Sequence, residues 1–238
     1  MPQQPFQPYQ PLLFRILHGL TGLSVMAAIV TAYWTYNTYD GRWGKLLPLP
    51  AFPEIEGIHG TFGLYALLLF PAFLIYSYRQ GQHRLIQART LPQIAQVGTP
   101  IGWSAWHRLT NTIALLSLTF ALFSGKMMNE KWLPNGELDH GWYYAHLIGW
   151  VMMVAAIALH VLMSAKVGGT PLLLSVMKWQ FRSQEHPKYW LAQVRQWWQA
   201  AQFDRLRGWI AFASTFKLLE AILLGTIAVA WLIPLLKG

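Results

Sequence analysis

Long apolar stretches separated by short polar segments dominate the chain. Four of them are clear, and each has the ~20 residues with which a helix crosses the hydrocarbon core of a bilayer. They cover residues 12–36, 58–78, 105–125 and 142–165. A fifth stretch, residues 212–236, has a similar length, although it contains Lys217, Glu220 and a late Pro234. The pattern predicts an all-α membrane protein with a four-helix transmembrane bundle followed by a fifth transmembrane helix.

The segment between the fourth and fifth stretches, residues 169–211, has a different composition. Its tryptophans alternate with basic residues, namely Lys178, Trp179, Arg182, Lys188, Trp190, Arg195, Trp197, Trp198, Arg205, Arg207 and Trp209. This mixture is typical of an amphipathic segment that lies in the lipid headgroup layer. The chain therefore divides into an N-terminal lead (1–11), a bundle domain (12–168), this basic aromatic segment (169–211) and a last helix (212–238).

The composition supports a membrane protein without a large soluble domain. Of the 238 residues, 54% are hydrophobic and only 11% are charged. The N-terminal lead has neither the basic region nor the small-residue cleavage site of a secretory signal, so we do not interpret it as a removable signal. The chain has no cysteine, which excludes disulfides, thiolate-bound metals and iron–sulfur clusters.

Basic residues concentrate in alternate connections between the apolar stretches. The connection after the second stretch has Arg79, Arg84 and Arg89 with no acidic residue, and the region after the fourth has seven basic residues against two acidic ones. The other two connections carry four basic residues against six acidic ones. The positive-inside rule then places the N-terminus and the basic aromatic segment in the cytoplasm. This placement accounts for the net charge of +9 without a nucleic-acid partner.

Two histidines, His146 and His160, lie at opposite ends of the fourth stretch. Fourteen helical residues return to within about 40° of the same face and rise about 21 Å. An imidazole inside a membrane is costly without a partner, so it indicates a functional site. The fourth helix is therefore predicted to present one imidazole near each membrane surface.

Histidines on other helices have matching depths. His18 and His160 each lie about two turns from the cytoplasmic end of their helices, whereas His59 and His146 lie near the outer end of theirs. Neutral imidazoles on facing helices of a bundle are common axial ligands of low-spin b-type haem. We therefore predict two stacked haems, bound non-covalently because no cysteine is available for attachment.

Other residues near these depths have competing interpretations. His107 could replace His18 as a ligand, or hydrogen-bond a haem propionate or a quinone. Arg15, Arg108 and Lys166 lie near the inner level, where they could pair with propionates or extend to the headgroups as ordinary interfacial cations. The remaining histidines are predicted to be solvated at the surface, and they are His83, His140 and His186.

Glycines follow the predicted ligands closely. Two interpretations are open for them: clearance for a flat macrocycle, or ordinary packing between membrane helices. They are Gly19, Gly22, Gly60, Gly63 and Gly149.

Taken together, these residues resemble the prokaryotic cytochrome b561 family, within the wider group that includes the b-type cytochrome subunits of nickel–iron hydrogenases and formate dehydrogenases. The resemblance covers about residues 12–168 and rests on short motifs around five histidines. These are F-R-I-L-H-G at His18, I-H-G-T-F-G-L at His59, W-H-R-L at His107, A-H-L-I-G at His146 and A-L-H-V at His160. It implies the same two ligand pairs and electron exchange between a quinone pool and a redox partner.

The leading hypothesis is transmembrane electron transfer through two bis-histidine b-type haems, with exchange at the quinone pool of a prokaryotic inner membrane, or of a thylakoid if the source is cyanobacterial. A first alternative is the membrane-anchor subunit of a larger dehydrogenase or hydrogenase, with a redox partner bound at the basic cytoplasmic face. A second is a haem-free transporter or assembly factor, although only Glu220 supplies an acidic group within the helices. Quinone-linked enzymatic activity and homo-oligomerisation stay open.

The predicted orientation is testable because the chain contains no cysteine. A single cysteine placed between Trp179 and Trp198 should react with a membrane-impermeant maleimide only from the cytoplasmic side of sealed vesicles. A cysteine at Gly44, in the first outer connection, is the control and should react only from the other side. Labelling of the Trp179–Trp198 region from the outer side would contradict the assignment.

Overall fold

A computed structural model describes residues 8–180, 182–199 and 215–237, and the regular structure in these ranges is helical. This confirms the predicted all-α class. The helices, numbered in chain order, are α1 (Leu12–Tyr39), α2 (Ile55–Arg79), α3 (Thr90–Ile94), α4 (Pro100–Met127), α5 (Trp132–Asn135), α6 (Gly141–Leu174), α7 (Trp190–Gln199) and α8 (Thr215–Lys237).

Local sequence explains where several helices begin and bend. Thr99 caps α4 by accepting a hydrogen bond from the Gly102 amide at 3.1 Å, and Pro100 occupies the first helical position. Within α6, Gly169 leaves helical geometry with φ 59° and ψ −163°, a conformation open to glycine, and Pro171 follows it. The long apolar part of α6 therefore ends at a break, beyond which the chain turns.

Four of the described helices are long and apolar enough to cross a membrane. They are α1, α2, α6 and residues Leu218–Leu236 of α8. The predicted fifth span is thus confirmed as an apolar helix of sufficient length, although its first three residues, 212–214, lie outside the described ranges.

Helix α4 contains the predicted third span, residues 105–125, and is as long as α1 but more polar. Its side chains meet those of α6 in antiparallel order, His107 with Ser164, and Asn111 with His160. Further along, Ser124 meets His146. Helix α4 is not among the four helices that are apolar enough by composition, so its crossing of the bilayer stays a prediction, supported by its packing along the apolar stretch of α6.

The long helices form two hairpins, α1 with α2 and α4 with α6. Each hairpin is closely packed internally, whereas the two hairpins approach each other closely at few points. Helix α8 packs between α2 and α4 and closes that side of the bundle. Its Ile227 and Ala230 join a core that includes Phe70, Leu74 and Leu118. Arg79 on α2 donates a hydrogen bond to the buried Glu220 on α8 at 3.0 Å, and this contact links α8 to α2.

Ionic contacts join the hairpins at the end of the bundle that the loop charges predict to face outward, which is called the outer end below. Arg42, after α1, pairs with Asp40 at 2.7 Å and with Asp139, before α6, at 3.1 Å. Tyr143 of α6 donates to Asp40 at 2.7 Å. Hydrogen bonds from Tyr144 and Arg42 hold the pKa of Asp139 below its usual value.

The first part of the basic aromatic segment joins the hairpins at the opposite end, predicted to be cytoplasmic and called the inner end below. Glu185 accepts hydrogen bonds from the Tyr9 hydroxyl at 2.7 Å and from the Leu12 amide at the start of α1 at 2.8 Å. Arg15 of α1 donates to the carbonyl of Lys178. Other predictions for this segment lie outside the described side chains, because they concern Trp197, Trp198, Arg205, Arg207 and Trp209.

Candidate functional site

The inner histidine pair comes together across the gap between the hairpins. His18 on α1 and His160 on α6 have ring centres 6.1 Å apart, with an interplanar angle of 36°. Phe14 and Phe73 pack on His18, with ring centres at 5.3 and 5.7 Å. These aromatic side chains restrict the orientation of the His18 imidazole.

The outer pair spans the same gap closer to the other end. His59 on α2 and His146 on α6 have ring centres 6.0 Å apart, with an interplanar angle of 57°. All four histidines are half-buried. The structure therefore brings together both pairs that the sequence predicts.

Hydrogen bonds fix the tautomer of His160. Its Nδ1 lies 2.8 Å from Oδ1 of Asn111, whose Nδ2 donates to the Arg84 carbonyl at 2.8 Å. The Arg84 carbonyl can only accept, which orients the amide with its oxygen toward the imidazole. Nδ1 of His160 then carries the proton, and the lone pair of Nε2 is available to a metal.

The two outer histidines also carry their ring proton on Nδ1. Nδ1 of His59 lies 3.1 Å from the carbonyl oxygen of Ala28, which can only accept. Nδ1 of His146 lies 3.1 Å from Oγ of Ser124, and that hydroxyl donates its own proton to the Ala121 carbonyl. Both imidazoles are thus Nδ1–H donors whose Nε2 lone pairs are available.

These pairs fit a haem better than a free metal ion. Two imidazoles bound at about 2 Å to opposite sides of one metal have ring centres roughly 6 Å apart, as both pairs do. Two nitrogens alone leave most of the coordination sphere to another ligand. Among the described residues, no group of three or more His, Cys, Asp or Glu side chains could hold a metal ion. A porphyrin supplies the four missing nitrogens.

The glycines separate into two groups. A Cβ placed on any of four would meet no atom within 4 Å, and these are Gly19, Gly22, Gly60 and Gly63. A Cβ on Gly149 would lie 3.3 Å from the Phe120 ring and 3.4 Å from Cα of Ala121 on α4. Gly149 therefore serves close packing of α6 on α4, whereas the other four leave space beside the helices that carry His18 and His59.

The third inner histidine, His107, differs from His160 in which ring nitrogen carries the proton. Its ring centre is 6.2 Å from that of His160, so distance alone does not exclude it as a ligand. Its Nε2, however, lies 3.2 Å from Oγ of Ser164, and that hydroxyl donates to the His160 carbonyl at 2.7 Å. The hydroxyl oxygen must accept from His107, which places a proton on Nε2 and removes its lone pair.

Cations surround the inner pair unevenly. The guanidinium of Arg84, which the sequence marked only as a loop charge, lies 4.9 Å from the centre of the Phe14 ring. Partial burial and the neighbouring guanidinium groups of Arg84 and Arg108 lower the pKa of His83. Lys166 lies over the Trp103 ring at 4.9 Å. The positive charges of Arg84 and Arg108 thus both act on the imidazole of His83 at the inner end.

Two surface histidines are more constrained than the sequence suggests. His140 stacks on Trp132 with ring centres 3.9 Å apart and an angle of 6°, and Nδ1 of His186 accepts from the Lys188 amide.

The space between the two histidine pairs is partly occupied by α6 itself. Trp150 donates through Nε1 to the carbonyl of Ile29 at 3.0 Å and stacks on Tyr33. Met153 is buried, whereas the Met152 side chain is 42% exposed. Trp150 is therefore one of the few direct contacts between α6 and α1.

Three residues beside the histidines were not predicted from the sequence as part of the site. Asn111, Ser124 and Arg84 belong to no motif with the histidines, and only the antiparallel alignment of α4 with α6 brings the first two to the imidazoles.

A family model described as prokaryotic cytochrome b561 matches residues 9–179, which include both histidine pairs and His107. No curated protein and no solved structure matches the chain.

Proposed function

The chain belongs to the prokaryotic cytochrome b561 family, integral membrane proteins that transfer electrons across the bilayer through b-type haem, and on that basis we propose that it holds two haems in series. One observation carries this proposal. Each histidine pair has ring centres about 6 Å apart, and His59, His146 and His160 have Nδ1 bonded in a way that leaves Nε2 available. His18 and His160 would hold the inner haem, and His59 and His146 the outer one.

Iron held by a porphyrin and two imidazoles exchanges one electron reversibly without an open coordination position. The protein's contribution is to orient the imidazoles. Hydrogen bonds from Nδ1–H to Asn111 and to the Ala28 carbonyl make the ligand nitrogens more basic and hold the ring planes. Ser124 does the same for His146.

We propose that Arg84 and Arg108 neutralise propionates at the inner end. Their closeness to His83, and the contact of Arg84 with Phe14, support this assignment. His107 lies beside His160 without an available Nε2, which supports a hydrogen-bonding role at the edge of the inner site, toward a propionate or a quinone, rather than ligation.

The separation of the pairs suits transfer across the membrane. His146 and His160 lie about 21 Å apart along α6, and Trp150 and the buried Met153 lie between them. Quinone is the proposed exchange partner, because half-buried histidines within apolar helices are within reach of a lipid-soluble carrier.

A second proposal concerns a redox partner or enzyme subunit at the basic end, placed in the cytoplasm by the loop charges. Exposed Lys188, Leu191 and Arg195 on and before α7 offer apolar and cationic contacts for it.

Haem content tests the ligand assignment directly. The purified protein should contain about two haems per chain in a pyridine haemochrome assay. His18→Ala and His160→Ala should remove the same spectral component, and His59→Ala and His146→Ala the other, because each pair serves one iron. His107→Ala is the matched control and should retain both. A wild-type content near zero would contradict the proposal, and so would loss of the same spectral component in His160→Ala and in His146→Ala.

The hydrogen-bonded neighbours of the ligands allow a test that leaves all four histidines intact. Asn111→Ala removes the acceptor for His160 and should raise the midpoint potential of the inner haem only, because a less basic imidazole stabilises ferric iron less. Ser124→Ala should do the same for the outer haem only, so each variant is the control for the other. A two-component redox titration measures both. Equal movement of both components in either variant would be inconsistent with separate sites.

Quinone exchange is tested in proteoliposomes. A quinol should reduce both haems, one before the other, because electrons enter at one site and pass through the bundle. In His160→Ala only the outer component should remain to be followed. If quinol never reduced the second haem of the wild-type protein, even after long incubation, the chain would not conduct electrons across the membrane.

A further inference from the structure

A cavity of about 310 Å³ lies at the end of the bundle where α1 begins and the chain leaves α6. Three basic residues line it, Arg15, Lys178 and Arg182, together with the polar side chains of Tyr9 and Gln10. No acidic residue is among the described residues that line it. Water occupies about 30 Å³ per molecule, so the space is several times larger than one water needs.

Arg15 is the central feature of this cavity. The residue is only 5% exposed, and its Nη1 donates to the carbonyl of Lys178. Its Nε and Nη2 are buried and have no hydrogen-bond partner. A buried guanidinium with unsatisfied donors is costly, since burial removes water from the charge without replacing it. Arg15 therefore has two buried donors available to a ligand in this cavity.

Neighbouring groups complete a positive environment. The Arg182 guanidinium lies 4.3 Å from the Tyr9 ring centre, and its backbone amide donates to the Tyr9 hydroxyl. The carboxylate of Glu185 lies beside Tyr9, where it accepts hydrogen bonds from the Tyr9 hydroxyl and from the Leu12 amide. Its negative charge is thus already engaged at the start of α1.

The Gln10 amide adds a further polar group. It is 6% exposed, and its Oε1 also lacks a partner. Rotation of the amide by 180° would present its NH₂ donors at the same position.

We propose that this cavity binds a phosphate group, with the two free nitrogens of Arg15 as the principal donors and Lys178 and Arg182 supplying additional positive charge. The planar guanidinium fork matches the oxygens of phosphate, and charge-assisted hydrogen bonds of this kind are strong.

The surroundings favour the headgroup of an anionic phospholipid as the source of that phosphate. Met177 and Trp179 flank Lys178 and are 70% and 87% exposed. Exposed apolar and tryptophan side chains beside cations are typical of the membrane–water interface. Inorganic phosphate is the alternative source of the same chemistry.

Thermal unfolding of the full-length haem-containing protein in neutral detergent tests the proposal. A ligand that binds only the folded state raises the unfolding midpoint in a saturable manner. Dioleoyl phosphatidylglycerol, dioleoyl phosphatidylcholine and inorganic phosphate are titrated separately. We expect phosphatidylglycerol to saturate the wild-type protein, and Arg15→Gln to need about tenfold more of it. Arg89→Gln, which removes an exposed charge elsewhere on the same side, is the matched control and should titrate as the wild type.

The outcomes separate the two sources. A response to phosphatidylglycerol alone identifies a lipid headgroup, whereas an Arg15-dependent response to inorganic phosphate identifies a free anion, and both support a phosphate site. Identical titrations of Arg15→Gln and Arg89→Gln with both probes would overturn it. So would loss of haem in Arg15→Gln with an unchanged lipid response, which would assign Arg15 to a propionate.

If Arg15→Gln does not accumulate, Arg182→Gln provides the same test at an exposed position of the cavity. Weaker binding of phosphatidylglycerol or of inorganic phosphate is expected, and a response equal to that of Arg89→Gln would overturn the proposal.

Discussion

The gap between the α1/α2 and α4/α6 hairpins is the constraint on which the rest of the structure depends. Membrane helices ordinarily associate by close packing, because hydrocarbon offers no hydrophobic driving force between them. Here each hairpin packs in that way internally, with Gly149 against Phe120, but the hairpins themselves meet at few points. They are joined at the outer end through Arg42, at the inner end through Glu185, and along one side by α8. The separation is thus built into the connections, and both histidine pairs bridge it.

A second consequence concerns the protonation state of the imidazoles. A histidine can bind a metal through Nε2 only if its proton is held on Nδ1, and a membrane interior offers no water to do this. Helix α4 supplies the acceptors for both histidines of α6, through Asn111 and Ser124, while α1 supplies a carbonyl to His59. The polar character of α4 therefore has a structural reason. Its Asn111 and Ser124 side chains face α6 and define the tautomers of His160 and His146.

The positive charge at the inner end is divided between two places. Arg84 and Arg108 lie near His83, and Arg84 also contacts the ring that packs on His18. Arg15 is only one turn from His18 in sequence, yet its guanidinium lies under the segment that follows α6, where it meets the Lys178 carbonyl. Cations that look equivalent along the chain thus belong to different environments. One lies beside the histidines, and the other lies against the segment that follows α6.

The sequence by itself determined the helical class, four of the five apolar spans and the histidine spacing, because hydrocarbon thickness and helical rise leave few alternatives for such patterns. The depth of His18 against His160, and of His59 against His146, follows from the same arithmetic. Only the tertiary structure shows how the surroundings of His107 differ, since both His18 and His107 lie about 6 Å from His160, and the contact of His107 Nε2 with Ser164 is what places a proton on that nitrogen. The roles of Asn111, Arg84 and Arg15 likewise depend on which helices become neighbours. Side-chain environment is a property of contacts between segments distant in sequence, and the periodicity of a single segment does not contain it.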